Sequence, residues 1–137
     1  MVSTFYWFKK PIKVPQAADQ GFGPEICTAV FVRPDIDVAS TSLTDQNDIK
    51  ILTVEMNSCT VTSIYKPPNA DFAFEEPSNF QSQQIKFVLG DFNCHSVAWG
   101  YNETAFNGEE LEKWAESMNL KLIHDPKQPA SFNSGIC

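Results

Sequence analysis

Two runs near the middle of the chain are rich in β-branched residues and alternate in character from one position to the next. Residues 50–56 (KILTVEM) and 59–65 (CTVTSIY) flank Asn57-Ser58, a spacing that predicts a β-hairpin closed by a two-residue turn. In that register Met56 faces Cys59, Val54 faces Val61 and Leu52 faces Ser63. Mostly apolar side chains then share one face, with Thr53, Glu55, Thr60 and Thr62 on the other. The second run stops at Lys66-Pro67-Pro68-Asn69, because proline cannot donate to a ladder. Residues 85–89 (IKFVL) form a short apolar run followed directly by Gly90-Asp91-Phe92-Asn93, which predicts a buried strand delivering polar residues at its C-terminal end.

Upstream, residues 28–32 (TAVFV) predict another buried strand, stopped by Arg33-Pro34. Residues 1–27 mix aromatic, basic, Pro and Gly residues without periodicity and read as an irregular lead-in, with a short strand at residues 5–8. Residues 70–83 contain an internal proline and little helical periodicity, so they predict a loop or a short broken helix. The best helix lies at residues 107–119. Asn107 and Glu110 are spaced as a capping box, Leu111, Trp114, Ala115 and Met118 recur at helical intervals, and Glu109, Glu112, Lys113 and Glu116 form the polar face. Residues 120–123 predict a last short strand, followed by a polar, turn-rich tail.

Composition narrows the classes. With 42% apolar and 12% aromatic residues, 137 residues suffice for one domain or part of one. A net charge of −7 and a pI near 4.7 argue against nonspecific nucleic-acid binding through a broad basic surface. Acidic residues can still gather where a divalent cation offsets them. Cys27, Cys59, Cys94 and Cys137 make no CxxC pair and read as reduced thiols. No stretch approaches the roughly 18 apolar residues of a membrane span, and the N-terminus lacks a secretory h-region with a cleavage site. An intracellular protein is expected.

The chemistry concentrates in residues 88–100 (VLGDFNCHSVAWG). A glycine turn after a strand would expose Asp91 and Asn93 two residues apart, on one side if the strand continues. A carboxylate there can orient or deprotonate water, and a carboxamide can donate to a phosphoryl oxygen as charge develops. By itself Gly-Asp-x-Asn is more often an ordinary turn.

The wider pattern changes that balance. GDFNCHSVAWG resembles the GDFN-A-H-x-x-W-G signature of retrotransposon endonucleases in the endonuclease/exonuclease/phosphatase family. Residues 62–69 (TSIYKPPN) are similar to that family's strand ending in Tyr-x-Pro-Pro-Asn, residues 107–120 to its following helix, and residues 129–135 to its Pro-Thr-x-Phe stretch. The resemblance implies an α/β fold of DNase I-like type, a four-layer sandwich of two packed mixed sheets flanked by helices. It divides the chain into the lead-in 1–27 and a partial domain 28–137.

It further implies a Mg2+-dependent phosphodiesterase that nicks DNA, in a nuclear setting. Asp91 would help to activate the attacking water, Asn93 would contact the scissile phosphate, and Tyr65 would support the phosphate or transition state. His95 occupies the family's histidine position as a supporting or packing residue, and Trp99 reads as a packing anchor. The family's other ligands are not found. Glu25, set between Pro24 and a strand, is a poor stand-in for the metal-binding glutamate, His124-Asp125 reverses the family's Asp-His order, and residues 134–137 lack its C-terminal Ser-Asp-His. The domain is therefore expected to be incomplete at both ends, weakly active or inactive, and in need of a partner to fold well. The alternatives are a non-catalytic interaction module that keeps the middle of the fold and, less favoured, a phosphatase acting on inositol phosphates or lipid headgroups.

Overall fold

A computed structural model describes residues 28–123 except 29 and 122. The chain divides after Phe92 into two units. The first carries a four-stranded sheet in the order β1 (Val38–Gln46), β2 (Ile49–Met56), β3 (Cys59–Tyr65), β4 (Ile85–Asp91). β1, β2 and β3 form an antiparallel meander, and β4 joins β3 in parallel. The β2–β3 hairpin has the predicted register, with Leu52 opposite Ser63 and Val54 opposite Val61. β1 is an element that hydrophobic patterning does not mark, because Ser, Thr, Asp and Gln fill most of its positions. Its signal is Asn47-Asp48, both at positive φ (52° and 67°). This is the left-handed pair that matches hairpin twist.

Ile51, Thr53, Thr60, Thr62 and Ile64 lie on one face of the sheet, and all five are buried. The threonine face is thus an interior one, which polar side chains tolerate because each finds a partner. Thr53 and Thr62 share a hydroxyl bond of 2.8 Å, and Thr60 donates to the Phe80 carbonyl at 3.3 Å. Asn79 plugs this face, accepting from the Ser42 hydroxyl at 2.7 Å and donating to Ser40 Oγ at 3.0 Å and the Thr53 carbonyl at 3.4 Å. The loop of residues 66–84 therefore serves as the cover over the sheet.

On the opposite face Leu52 and Val54 are buried, whereas Ile85, Phe87 and Leu89 of β4 are exposed, as is Leu43 of β1. The expectation of a buried β4 is corrected here. β4 is the edge strand of the described sheet, and its apolar side chains stand on the face opposite the one that the loop covers, flanked by a neighbour on one side only. Among residues 28–32 the expected strand reduces to an isolated bridge at Phe31, with Val32 buried. Residues 1–27 and 124–137, including the strand expected at 5–8, lie outside the described residues.

In the second unit a single 3-10 turn, Val97–Trp99, precedes α1 (Phe106–Ser117). The predicted capping box does not form. The helix starts one residue earlier, with Ala105 as N-cap and no side-chain cap bond, which places Asn107 inside the first turn. Packing decides that start. Gly108 is buried so closely under His95 that a Cβ would lie 1.8 Å from the His95 carbonyl oxygen, and Ala105 N–H bonds that same oxygen at 3.0 Å. The C-terminus closes as a Schellman motif. Asn119 adopts φ 54°, Leu120 N–H reaches the Ala115 carbonyl at 2.8 Å, and Asn119 N–H reaches Glu116 at 3.0 Å. Residues 120, 121 and 123 are accordingly not the strand expected there. Among the described residues no helix is long and apolar enough to cross a membrane.

The four-stranded mixed sheet and the helix make an α/β arrangement. Within the sheet the backbones approach closely at Gly90, where a Cβ would sit 2.0 Å from the Ile64 carbonyl oxygen. Gly90→Ala is therefore expected to force β4 away from β3 and cost about 2 kcal/mol or more, read as a lowered midpoint in urea unfolding.

Candidate active site

β3 ends at Tyr65 because Pro67 and Pro68 follow Lys66, and β4 ends at Asp91. The parallel register sets Tyr65 opposite Asp91, so both side chains leave the same face at the carboxyl ends of neighbouring parallel strands. This is the position where open α/β sheets place ligands. The pairing is sealed one residue later by Lys66 N–H, which donates to the Asp91 carbonyl at 2.9 Å. Asp91 is exposed and Tyr65 half-buried, which leaves a carboxylate able to accept a proton from water beside a phenol able to donate a hydrogen bond.

The same row continues across the sheet. Lys50 pairs with Tyr65 and Asp45 pairs with Lys50, so Asp45, Lys50, Tyr65 and Asp91 stand side by side on one face. Lys50 Nζ lies 2.8 Å from Asp45 Oδ2. Neither Lys50 nor Asp45 was singled out by motif reading. The signal that could have found Lys50 is the hairpin register itself, which carried outward brings Lys50 opposite Tyr65.

The floor behind Asp91 is built by the loop after β3. The Lys66 side chain is fully buried, its ammonium donating to the Pro67 carbonyl at 2.9 Å and the Ala70 carbonyl at 2.7 Å. Just beyond that turn Phe72 packs edge-on against Phe74 (ring centroids 5.3 Å apart) and Phe92 (6.3 Å), the residue that follows Asp91. A buried cation satisfied by main-chain oxygens thus holds the turn that backs the strand end.

Asn93 opens the second unit with φ 44°. The strand does not continue through it, so the expectation that Asp91 and Asn93 project from one extended segment is corrected. Asparagine is among the few side chains that adopt the left-handed region at low cost. The remainder of the signature builds the loop that follows. Trp99 Nε1 donates to the Cys94 carbonyl at 2.9 Å, in keeping with a packing anchor. Ser96, fully buried, accepts from Ala98 N–H at 3.0 Å and donates to the Glu112 carboxylate of α1. His95 is exposed, its ring stacked on Tyr101 with centroids 4.1 Å apart and planes 10° apart. That contact gives it a packing partner.

Glu25, His124 and Asp125 lie outside the described residues. Among the described residues no group of three or more His, Cys, Asp or Glu side chains is placed to hold a metal ion.

Residues 59–136 match the family described as endonuclease-reverse transcriptase. Among solved structures, the endonuclease domain of TRAS1, a telomere-specific non-LTR retrotransposon, matches with a TM-score of 0.47 and 19% identity. The match covers 78% of this chain and 52% of that one, so the chain spans about half of that structure's length. No curated protein matches the chain.

Two stability changes follow from this geometry. Lys66→Met should leave the Pro67 and Ala70 carbonyls without their ammonium donor and lower stability by about 1–3 kcal/mol, measured by chemical denaturation. At Asn93 the left-handed backbone predicts different costs for two substitutions that remove the same carboxamide. Asn93→Ala should cost about 1 kcal/mol more than Asn93→Gly, because only glycine adopts φ 44° without a Cβ penalty. A lower melting temperature for the glycine variant than for the alanine variant would contradict the strained geometry.

Proposed function

The chain belongs to the endonuclease-reverse transcriptase family, and from that premise we propose that it is a DNA-nicking phosphodiesterase domain of the retrotransposon type, built on the DNase I-like four-layer sandwich. The observation that carries the reading is the parallel pairing of Tyr65 with Asp91 at the end of the sheet, inside the segment that matches the family. In the proposed reaction Asp91 orients a water and takes its proton. The water oxygen bonds to phosphorus, the P–O bond to the departing strand end breaks, and the departing oxygen takes a proton from solvent. The Tyr65 hydroxyl and the Asn93 carboxamide donate to phosphoryl oxygens as negative charge develops.

Mg2+ enters the proposal through the family resemblance. The described residues provide Asp91 at the strand end but no cluster of three ligands. They do not make a cation site by themselves, so no step is routed through the metal.

A second reading, a non-catalytic interaction module, is favoured by that missing cluster and by the exposed Ile85, Phe87 and Leu89. Nicking of supercoiled plasmid by the purified chain separates the two. An enzyme should nick in Mg2+, stop in EDTA, and lose on the order of 100-fold or more in rate with Asp91→Ala. Nicking that survives in Asp91→Ala removes the site assignment. No nicking, together with an EDTA-insensitive complex with a partner chain, establishes the module.

A further inference from the structure

Within the strands of the described residues there are two cations, Lys50 on β2 and Lys86 on β4. Lys86 pairs with Thr60 and so belongs to the opposite, threonine-bearing face, while Lys50 pairs with Tyr65 and shares the face of Tyr65 and Asp91. Lys66 is excluded from contact with a ligand by its complete burial. A polyanionic substrate approaching this face of a chain with net charge −7 therefore meets one strand-borne ammonium, next to the tyrosine of the site.

We infer that Lys50 is a phosphate-binding residue of the site, and that Asp45 holds its ammonium until a DNA backbone phosphate displaces that carboxylate. The inference rests on the nuclease reading above and adds to it a substrate contact that the signature motif does not contain.

The geometry suits an exchange of partners. Adjacent strands are about 5 Å apart, so a phosphodiester lying over Tyr65 is flanked by Lys50 on one side and Asp91 on the other. The Lys50–Asp45 pair is partly exposed, with side chains 32% and 57% accessible, and ion pairs of that kind are weak enough to be replaced. A phosphodiester carries the same single charge as the carboxylate, and the exchange is favoured by the counterions released when the ammonium neutralises a backbone phosphate.

A purely structural ion pair and a substrate contact make opposite predictions for the two partners. If the pair only staples β1 to β2, Lys50→Gln and Asp45→Asn each remove the same interaction and shift DNA affinity in the same direction or not at all. If Lys50 binds phosphate, Lys50→Gln removes the contact whereas Asp45→Asn removes its competitor.

The test uses the full chain and a fluorescently labelled short DNA duplex, with affinity followed by anisotropy across a salt series and plasmid nicking by the wild type measured in parallel. The expected result is a fall of about one unit in the slope of log affinity against log salt for Lys50→Gln, tighter binding by Asp45→Asn, and a retained slope in Lys50→Arg. An unchanged slope in Lys50→Gln, or weaker binding by both Lys50→Gln and Asp45→Asn, overturns the assignment. If that happens while the wild type nicks DNA, the nuclease reading stands and the Lys50 role alone falls. A wild type that neither binds nor nicks DNA removes both.

Discussion

The parallel ladder between β3 and β4 is the constraint on which the candidate site depends. Parallel strands need a long return path, and here it is the irregular segment of residues 66–84 that connects them. Gly90 lets the two backbones close at a point where any side chain would strike the Ile64 carbonyl. With that contact made, Tyr65 must face Asp91, and Lys66 N–H closes the ladder on the Asp91 carbonyl. A shift of one residue would turn Asp91 to the other face of the sheet and separate it from the phenol.

The return segment also explains why a polar face can be interior. Burying Thr53, Thr60 and Thr62 would be costly without partners. The Thr53–Thr62 hydroxyl pair and the Phe80 carbonyl provide them, and among the described residues no buried side-chain polar atom lacks a bond. One end of the same segment holds the buried Lys66 ammonium, and Phe72 beyond it backs Phe92. The cover of the sheet and the support of Asp91 are thus parts of one connected segment.

The signature at residues 88–100 divides its labour. Asp91 is a strand end, Asn93 a left-handed residue, and the stretch that follows is largely occupied with its own bonding: Trp99 to the Cys94 carbonyl, Ser96 to Glu112, His95 stacked on Tyr101. Most of the motif therefore shapes a loop, and few of its members are left to do chemistry. A motif can be specific for a family while only two of its side chains are candidates for contact with substrate.

Sequence by itself determined what is local. The β2–β3 hairpin and its register follow from a two-residue turn between alternating runs, the end of β3 from two prolines, and the apolar stripe of α1 from its period. The family resemblance likewise rests on contiguous residues. Tertiary structure alone decided the rest, because it depends on residues distant in sequence. β1 is a strand by virtue of pairing with β2, despite its serines and threonines. β4 became an exposed edge because of its place in the sheet order. The start of α1 was set by Gly108 fitting beneath His95 rather than by a capping box. The row Asp45, Lys50, Tyr65, Asp91 draws one residue from each of four strands, and only the pairing of all four brings those side chains onto one face.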